Sequence, residues 1–108
     1  MSEVTFADFK KTDLRVAKIL EVQEIAGADR IWRLLVDVGT EKKEIVAGIK
    51  AFYSREQLLG KSVIVVNNLT PSVIRGVESR GMLLAAKEGT RLSLLLIDQD
   101  LPAGSLVG

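Results

Sequence analysis

An all-β fold is the architecture this sequence predicts, and three observations carry that expectation. The apolar residues fall in short segments bounded by glycine, proline or polar turn residues; one segment alternates with the period of a half-buried strand; another is a β-branched run too short for a buried helix. Only one stretch carries both a helix start and a helix stop.

Residues 14–22 read as the first strand, with Leu14, Val16, Leu20 and Val22 on one parity, while Lys18 interrupts the alternation and marks a candidate bulge. Ala26-Gly27-Ala28-Asp29 is turn-like. Residues 31–38 alternate cleanly, placing Trp32, Leu34, Val36 and Val38 on one face and Arg33 and Asp37 on the other. Residues 39–43 read as a hairpin connection and 44–49 as the returning strand. Ser54 followed by Gln57 fits a capping box, with Leu58 and Leu59 as the apolar side and Gly60 as the stop, which predicts one to two turns of helix. Val63-Ile64-Val65-Val66, within 61–69, predicts a central strand because β-branched side chains disfavour helix. Residues 70–80, with Pro71 and Gly76, read as a long loop or irregular arm, and 81–86 and 92–97 as strands around a turn at Lys87-Glu88-Gly89-Thr90. Five or six short strands with one short helix between the third and the fourth is the element order of an OB fold, a five-stranded Greek-key barrel.

At 108 residues, 47% hydrophobic and 27% charged, the chain has the balance of one globular domain spanning 1–108. A chain of this size buries roughly 65% of the surface its unfolded form exposes, enough to fold alone. The absence of cysteine excludes disulfides, thiolate nucleophiles and cysteine-based zinc sites, and the absence of histidine removes the commonest general base and metal ligand. Gly60-Lys61-Ser62 lacks the upstream glycine of a nucleotide-triphosphate loop, since position 55 is Arg55. Asp98-Gln99-Asp100 could in principle bind a hard cation, but the acids are otherwise scattered and mostly sit beside lysine or arginine, and solvated surface charge is the favoured reading of them all. No catalytic residue, metal or cofactor is expected. The apolar runs fall far short of the ~20 residues that span a bilayer. Met1-Ser2-Glu3-Val4 has no basic segment followed by an apolar one, so a cytoplasmic protein with no membrane partner is expected.

Fifteen basic against fourteen acidic residues leave a net charge of +1, so a nucleic-acid site must come from local clustering. On an OB barrel such a site lies on the outer face of strands two and three and in the adjoining loops. Arg33 opposite Trp32, Lys42 and Lys43 in the hairpin, and Lys50 after the third strand are its candidates. The bland reading of these four is that scattered cations keep a small domain soluble.

The stretch from Asn67 to Ala86 is the most informative. Together with Asp13-Leu14-Arg15-Val16-Ala17-Lys18-Ile19 and the block from Val36-Asp37-Val38-Gly39 to Ile45-Val46-Ala47-Gly48-Ile49, it resembles the tRNA-binding domain appended to methionyl-tRNA synthetases, which also occurs as a free-standing dimeric tRNA-binding protein and in synthetase-associated cofactors. The likeness runs in order through residues 6–107. It implies an OB fold whose C-terminal extension, about 98–108, helps form a homodimer, and a surface that recognises the outer corner of tRNA by shape. Asn68, Arg75, Ser79 and Met82 fall in the matching motif, an Asn-Leu-x-Pro start and a Gly-x-x-Ser-x-Gly-Met end. In that reading Asn68 and Ser79 contact sugar or phosphate oxygens, Arg75 and Arg80 supply charge, and Met82 offers a polarizable surface. The bland alternatives are loop shaping for Asn68, Gly76 and Gly81, and core packing for Met82. Leu101, Leu106 and Val107 are candidate dimer contacts, since so aliphatic a chain with few aromatics has apolar surface to hide. The sequence departs from the family where Ala26-Gly27 replaces the usual His-Pro, which leaves that loop without an assigned role.

The function implied is a non-catalytic, structure-specific tRNA-binding module, a homodimeric accessory domain or subunit of an aminoacyl-tRNA synthetase, the methionyl enzyme first. The alternative is a free-standing RNA-binding or export-chaperone-like protein that captures unfolded polypeptide. A sugar-binding barrel has little to stack with, given one Trp and one Tyr.

Overall fold

The computed structural model describes all residues, 1–108. Its elements are helix α1 (Phe6–Phe9), strands β1 (Leu14–Glu24), β2 (Trp32–Asp37) and β3 (Lys42–Ala47), helix α2 (Arg55–Leu58), and strands β4 (Ser62–Val66), β5 (Ser72–Ile74), β6 (Val77–Ser79), β7 (Met82–Leu83), β8 (Ala85–Glu88), β9 (Arg91–Leu94) and β10 (Leu106–Val107). The all-β expectation holds. The main sheet is ordered β3-β2-β1-β4-β7, every pairing in it is antiparallel, and β10 adds to the start of β1.

β1 is the spine. Its first half pairs with β4, Leu14 facing Val66 and Lys18 facing Ser62, and its second half pairs with β2, Val22 facing Leu34 and Glu24 facing Trp32. The register slips between Ile19 and Glu21, just beyond the predicted site at Lys18. A bulge bends a strand and increases its twist, which lets one strand serve two walls of a curled sheet. It also corrects the expected parity: Ala17, Ile19 and Val22 enter the core, whereas Leu14 and Leu20 stay half-buried. Val16 is buried on the opposite side, where the C-terminal tail covers it, with Gly104 N–H donating to Val16 O at 2.7 Å and Val16 N–H to Ser105 O at 2.9 Å.

β2 buries Trp32, Leu34 and Val36 as its alternation predicts, and β3 returns in register with it, Trp32 opposite Ala47 and Asp37 opposite Lys42. β3 begins earlier than expected, because Lys42 and Lys43 already pair with Asp37 and Val36 instead of forming the turn. α2 forms where its capping box predicts: the Ser54 hydroxyl accepts from Gln57 N–H at 3.3 Å and the Gln57 side chain accepts from Ser54 N–H at 2.8 Å. Its one buried residue is Leu58, which joins the barrel core beside Ile19, Leu34, Ile45, Val63 and Val65 and contributes about 1.5–3 kcal/mol of burial. Leu59 is exposed, so the predicted apolar side of this helix is a single residue wide.

Several elements depart from expectation. The strand expected at 81–86 divides into β7 and β8, Lys87 and Glu88 lie in β8 and pair with β9 where a turn is expected, and β9 ends at Leu94, short of the expected 97. α1 is an addition to the predicted set, yet its Thr5 N-cap, whose side chain accepts from Asp8 N–H at 3.1 Å, is an ordinary start signal. Residues 70–80 form a hairpin, β5–β6, in place of the expected loop, with Ile74 opposite Val77 across the two-residue turn Arg75-Gly76. Both turn residues have positive φ, 53° and 81°, as the tight turn of a right-twisted hairpin requires. The signal is legible only with an arginine accepted where Asn or Asp is usual.

The tail returns from β9 across the sheet and is pinned at Gly104. A Cβ there would lie 2.7 Å from Val38 O and 2.9 Å from Gly39 Cα, and Gly39 would meet Ala103 O and Gly104 Cα at 2.8 Å in the same way. Gly104→Ala is therefore expected to destabilise the fold by about 1–3 kcal/mol in urea unfolding. Gly89→Ala, at φ 56° but with open space around it, carries only the conformational cost of ~1 kcal/mol.

Candidate nucleic-acid interface

The outer faces of β2 and β3 and the β5–β6 hairpin enclose a groove of about 350 Å³, lined by Arg33, Leu35, Lys42, Lys43, Glu44, Gly76, Val77, Glu78 and Arg80. Strand alternation puts the charged members there: Arg33 and Glu44 are the outward neighbours of the buried Trp32, Leu34 and Ile45. The hairpin is carried over β3 by a short seam. Arg80 N–H donates to Glu44 O at 2.9 Å and Val46 N–H donates to the Ser79 hydroxyl at 2.9 Å. Beyond the hairpin tip, Arg75 and Ile74 meet Gly27, Ala28, Asp29, Arg30 and Ile31 around a second depression of about 330 Å³.

Within the first groove the charges are largely paired. The Arg33 guanidinium grips Glu44 through two N–H groups, Nε to Oε2 and Nη2 to Oε1, the latter at 2.9 Å, and both side chains are 38% exposed. The Glu44 carboxyl is held below its usual range chiefly by these hydrogen bonds, and the Arg33 guanidinium is raised by the same pair. Arg80 Nη1 lies 3.0 Å from Glu41 Oε1. Lys42 is exposed with no ion-pair partner within reach.

The structure thus gathers Arg33, Lys42 and Arg80 in one groove and puts Arg75 at the hairpin tip, in the second depression. Other predicted residues sit elsewhere or are already engaged. Lys43 lies in the groove wall but on the core-facing parity of β3. It is 6% exposed, and its ammonium donates to Asn67 O at 3.0 Å. Burial lowers its pKa, against the opposing pull of Glu41. Ser79 is 4% exposed, and its hydroxyl accepts from Val46 N–H and donates to Gly81 O at 3.4 Å, so it is a seam residue and presents nothing to solvent. Asn68 is exposed but spent on the chain entering β1: its Oδ1 accepts from Asp13 N–H at 2.9 Å and its Nδ2 donates to Lys11 O at 2.7 Å. It shapes the loop, as the bland alternative has it. Lys50 lies off the groove, 3.1 Å from Glu24 and 4.8 Å from the Trp32 ring centroid. Met82 is 46% exposed, so core packing does not describe it.

Asp13 anchors the loop beneath. Asn67 Nδ2 donates to its Oδ2 at 3.0 Å and Arg15 Nε to its Oδ1 at 2.7 Å, and these hydrogen bonds, Asn67 first, lower its pKa. Sequence reasoning misses Arg30 and the three carboxylates Glu41, Glu44 and Glu78 as parts of the site. Glu44 is legible from its parity with Arg33 across the hairpin. Glu78 and Arg30 require the β5–β6 hairpin itself.

A separate cavity of about 540 Å³ lies between α1 and the tail, lined by Phe6, Phe9, Lys10, Lys11, Thr12, Asp13, Asn68, Leu106, Val107 and Gly108. Of the predicted dimer contacts, Leu106 is 75% exposed and Leu101 50% exposed, Val107 is half-buried, and Leu101 lies outside this cavity. No helix is long and apolar enough to cross a membrane. Asp98 and Asp100 line a shallow depression beside Lys61, and no three acidic side chains are placed so as to hold a metal ion.

Two outcomes test this geometry. Ser79→Ala leaves the Val46 N–H without its partner at the seam and is expected to cost about 1–3 kcal/mol in chemical denaturation. Lys43 is a cation whose folded pKa is depressed, so the unfolded chain holds its proton more tightly. Stability should therefore rise with pH from the lowered folded value up to lysine's ordinary range, and Lys43→Met should flatten that alkaline limb in unfolding measured across pH.

Comparison with known proteins gives concordant matches. The family described as "Putative tRNA binding domain" matches residues 14–106. The methionine–tRNA ligase of Thermotoga maritima is 48% identical over 104 residues, 96% of this chain and 16% of that enzyme. That of Pyrococcus horikoshii is 49% identical over 107 residues, 99% of this chain and 15% of the enzyme. Among solved structures, a MetRS-related protein from Pyrococcus horikoshii superposes with a TM-score of 0.94 at 32% identity, both chains covered in full. The chaperone CsaA from Bacillus anthracis superposes at 0.90 with 27% identity, covering 99% of this chain and 100% of that one. The chain thus spans a small fraction of the curated ligases and the whole of the smaller solved proteins.

Proposed function

The chain belongs to the tRNA-binding domain family, and from that premise we propose that it captures tRNA in the groove between β2–β3 and the β5–β6 hairpin. As a member of that family it is a binding module and not a catalyst; ligase chemistry belongs to the full-length relatives, of which it matches a small part. The observation that carries the assignment is the convergence of Arg33, Lys42 and Arg80 on one groove, with Arg75 and Arg30 lining the separate depression at the hairpin tip. Guanidinium groups fork to phosphate oxygens, lysine adds a mobile point charge, and the concave shape between sheet and hairpin selects a rigid backbone over a loose strand. Met82, exposed on β7, offers an apolar contact to a ribose or base. Lys43 and Ser79 serve the site by holding its walls.

In this reading residues 1–108 act as one unit in the cytoplasm, delivering tRNA to a methionyl-tRNA synthetase as an appended domain or a subunit. It pairs as a homodimer through the tail. The exposed Leu106 with Val107, Phe6 and Phe9 supports a self-association surface, and two protomers would raise avidity without any new interaction.

Labelled tRNA titrated at several salt concentrations tests the groove. Lys42→Gln and Arg75→Gln should each weaken binding and reduce the log–log salt slope by about 0.9 for each duplex phosphate that the variant no longer neutralises. Binding no tighter than to an unrelated RNA duplex would reject the function. For assembly, sedimentation should show a dimer that Leu106→Asp converts to monomer.

A second reading has its own support. The cavity beside α1, where Phe6, Phe9, Leu106 and Val107 form an apolar patch, and the likeness to CsaA favour capture of unfolded polypeptide. Peptide held in an apolar cavity should resist salt, whereas tRNA binding should weaken steeply with it.

A further inference from the structure

We propose that Glu44 and Glu41 are built-in competing anions, so that tRNA enters the groove by exchanging its phosphates for these two carboxylates on Arg33 and Arg80. The inference deepens the tRNA-binding reading and rests on it. Both arginines that line the groove are already occupied. Glu44 takes the Nε and Nη2 edge of Arg33, and Glu41 takes Nη1 of Arg80. A phosphate oxygen and a carboxylate oxygen make the same charge-assisted bond to a guanidinium, so one can replace the other at the same edge. The exchange is open to solvent: the four side chains are 38–44% exposed, so the carboxylates can swing out to water without being left buried and unpaired.

The placement of the acids favours competition over simple structural pairing. Glu41 and Glu44 bracket Lys42 and Lys43 at the start of β3, and Glu78 adds a third carboxylate from the hairpin. At rest the groove is nearly neutral although four cations surround it, which agrees with a chain whose net charge is only +1. A tethered carboxylate competes at high effective concentration, so a single small phosphate cannot displace it. A rigid polyanion that presents several phosphates at the right spacing displaces both together. The carboxylates therefore act as a threshold that favours structured RNA over mononucleotides, free phosphate and flexible polyphosphate.

The test uses the whole chain with a tRNA transcript and, separately, inorganic tripolyphosphate. Compared are the wild type, Glu44→Gln, Glu41→Gln, Arg33→Gln and the Glu44→Gln/Arg33→Gln double variant, with unfolding midpoints confirming that each is folded. Glu44→Gln should tighten tRNA binding several-fold at low salt and steepen the log–log salt slope by about 0.9, because Arg33 then gains a phosphate without releasing a carboxylate. That gain should vanish in the Arg33→Gln background, Glu41→Gln should act in the same direction, and tripolyphosphate should bind the Glu→Gln variants and not the wild type. Weaker tRNA binding by Glu44→Gln would overturn the proposal, as would a gain that survives in the Arg33→Gln background, since that reports only the general field of a removed acid. If the wild type binds no tRNA, the functional reading fails, and the tripolyphosphate comparison still decides whether the carboxylates exclude phosphate.

Discussion

The whole interface depends on a narrow seam where β3 meets the chain leaving β6. No strand ladder runs there. A buried backbone amide still needs a partner, and the Val46 N–H finds it in a side chain, the Ser79 hydroxyl, while Arg80 supplies a single main-chain bond to Glu44. These two bonds hold the hairpin across the outer face of β2 and β3. They convert a flat half-barrel wall into a groove. Gly81 belongs to the same constraint, because a Cβ there would come within 2.9 Å of Val66 O and 3.2 Å of the Ile45 side chain. Seam, hairpin and groove are thus one structural unit, and the serine that looks like a ligand contact in sequence is the joint that makes the contact surface possible.

Much of the barrel is legible in sequence because its signals are local. Alternation in residues 31–38, the capping box at Ser54 and Gln57, and the β-branched run at Val63 each state their conformation within a few residues. What is not legible depends on long-range geometry. The bulge after Ile19 reverses which residues of β1 face inward, and only the simultaneous pairing with β2 and β4 fixes its position. Likewise, Arg75-Gly76 allows a hairpin turn, but nothing within residues 70–80 says that the hairpin docks on a strand some thirty positions earlier.

The site shows the same division in chemical form. Lysine and arginine are visible in sequence as charges, but whether a charge is available is a matter of parity and neighbours. Lys42 and Lys43 are adjacent, yet one is free in water and the other is turned inward to cap Asn67 O. Asn68 and Ser79 match a binding motif by position, while their hydrogen-bonding capacity is largely used by the fold. The carboxylates look like ordinary surface charge in the sequence, and in the folded protein they set the resting electrostatics of the groove.

The left-handed backbone at Arg75 places a different demand on the molecule. A branched or long side chain at φ 53° sits where glycine or asparagine would be more comfortable, so the hairpin tip gives up local conformational ease to project a guanidinium. Selection for heat tolerance alone would drift this position toward Gly or Asn and strip the charge away while the barrel improved. An arginine at such an exposed corner sets local backbone comfort against the charge it presents, concentrated in one residue at the hairpin tip.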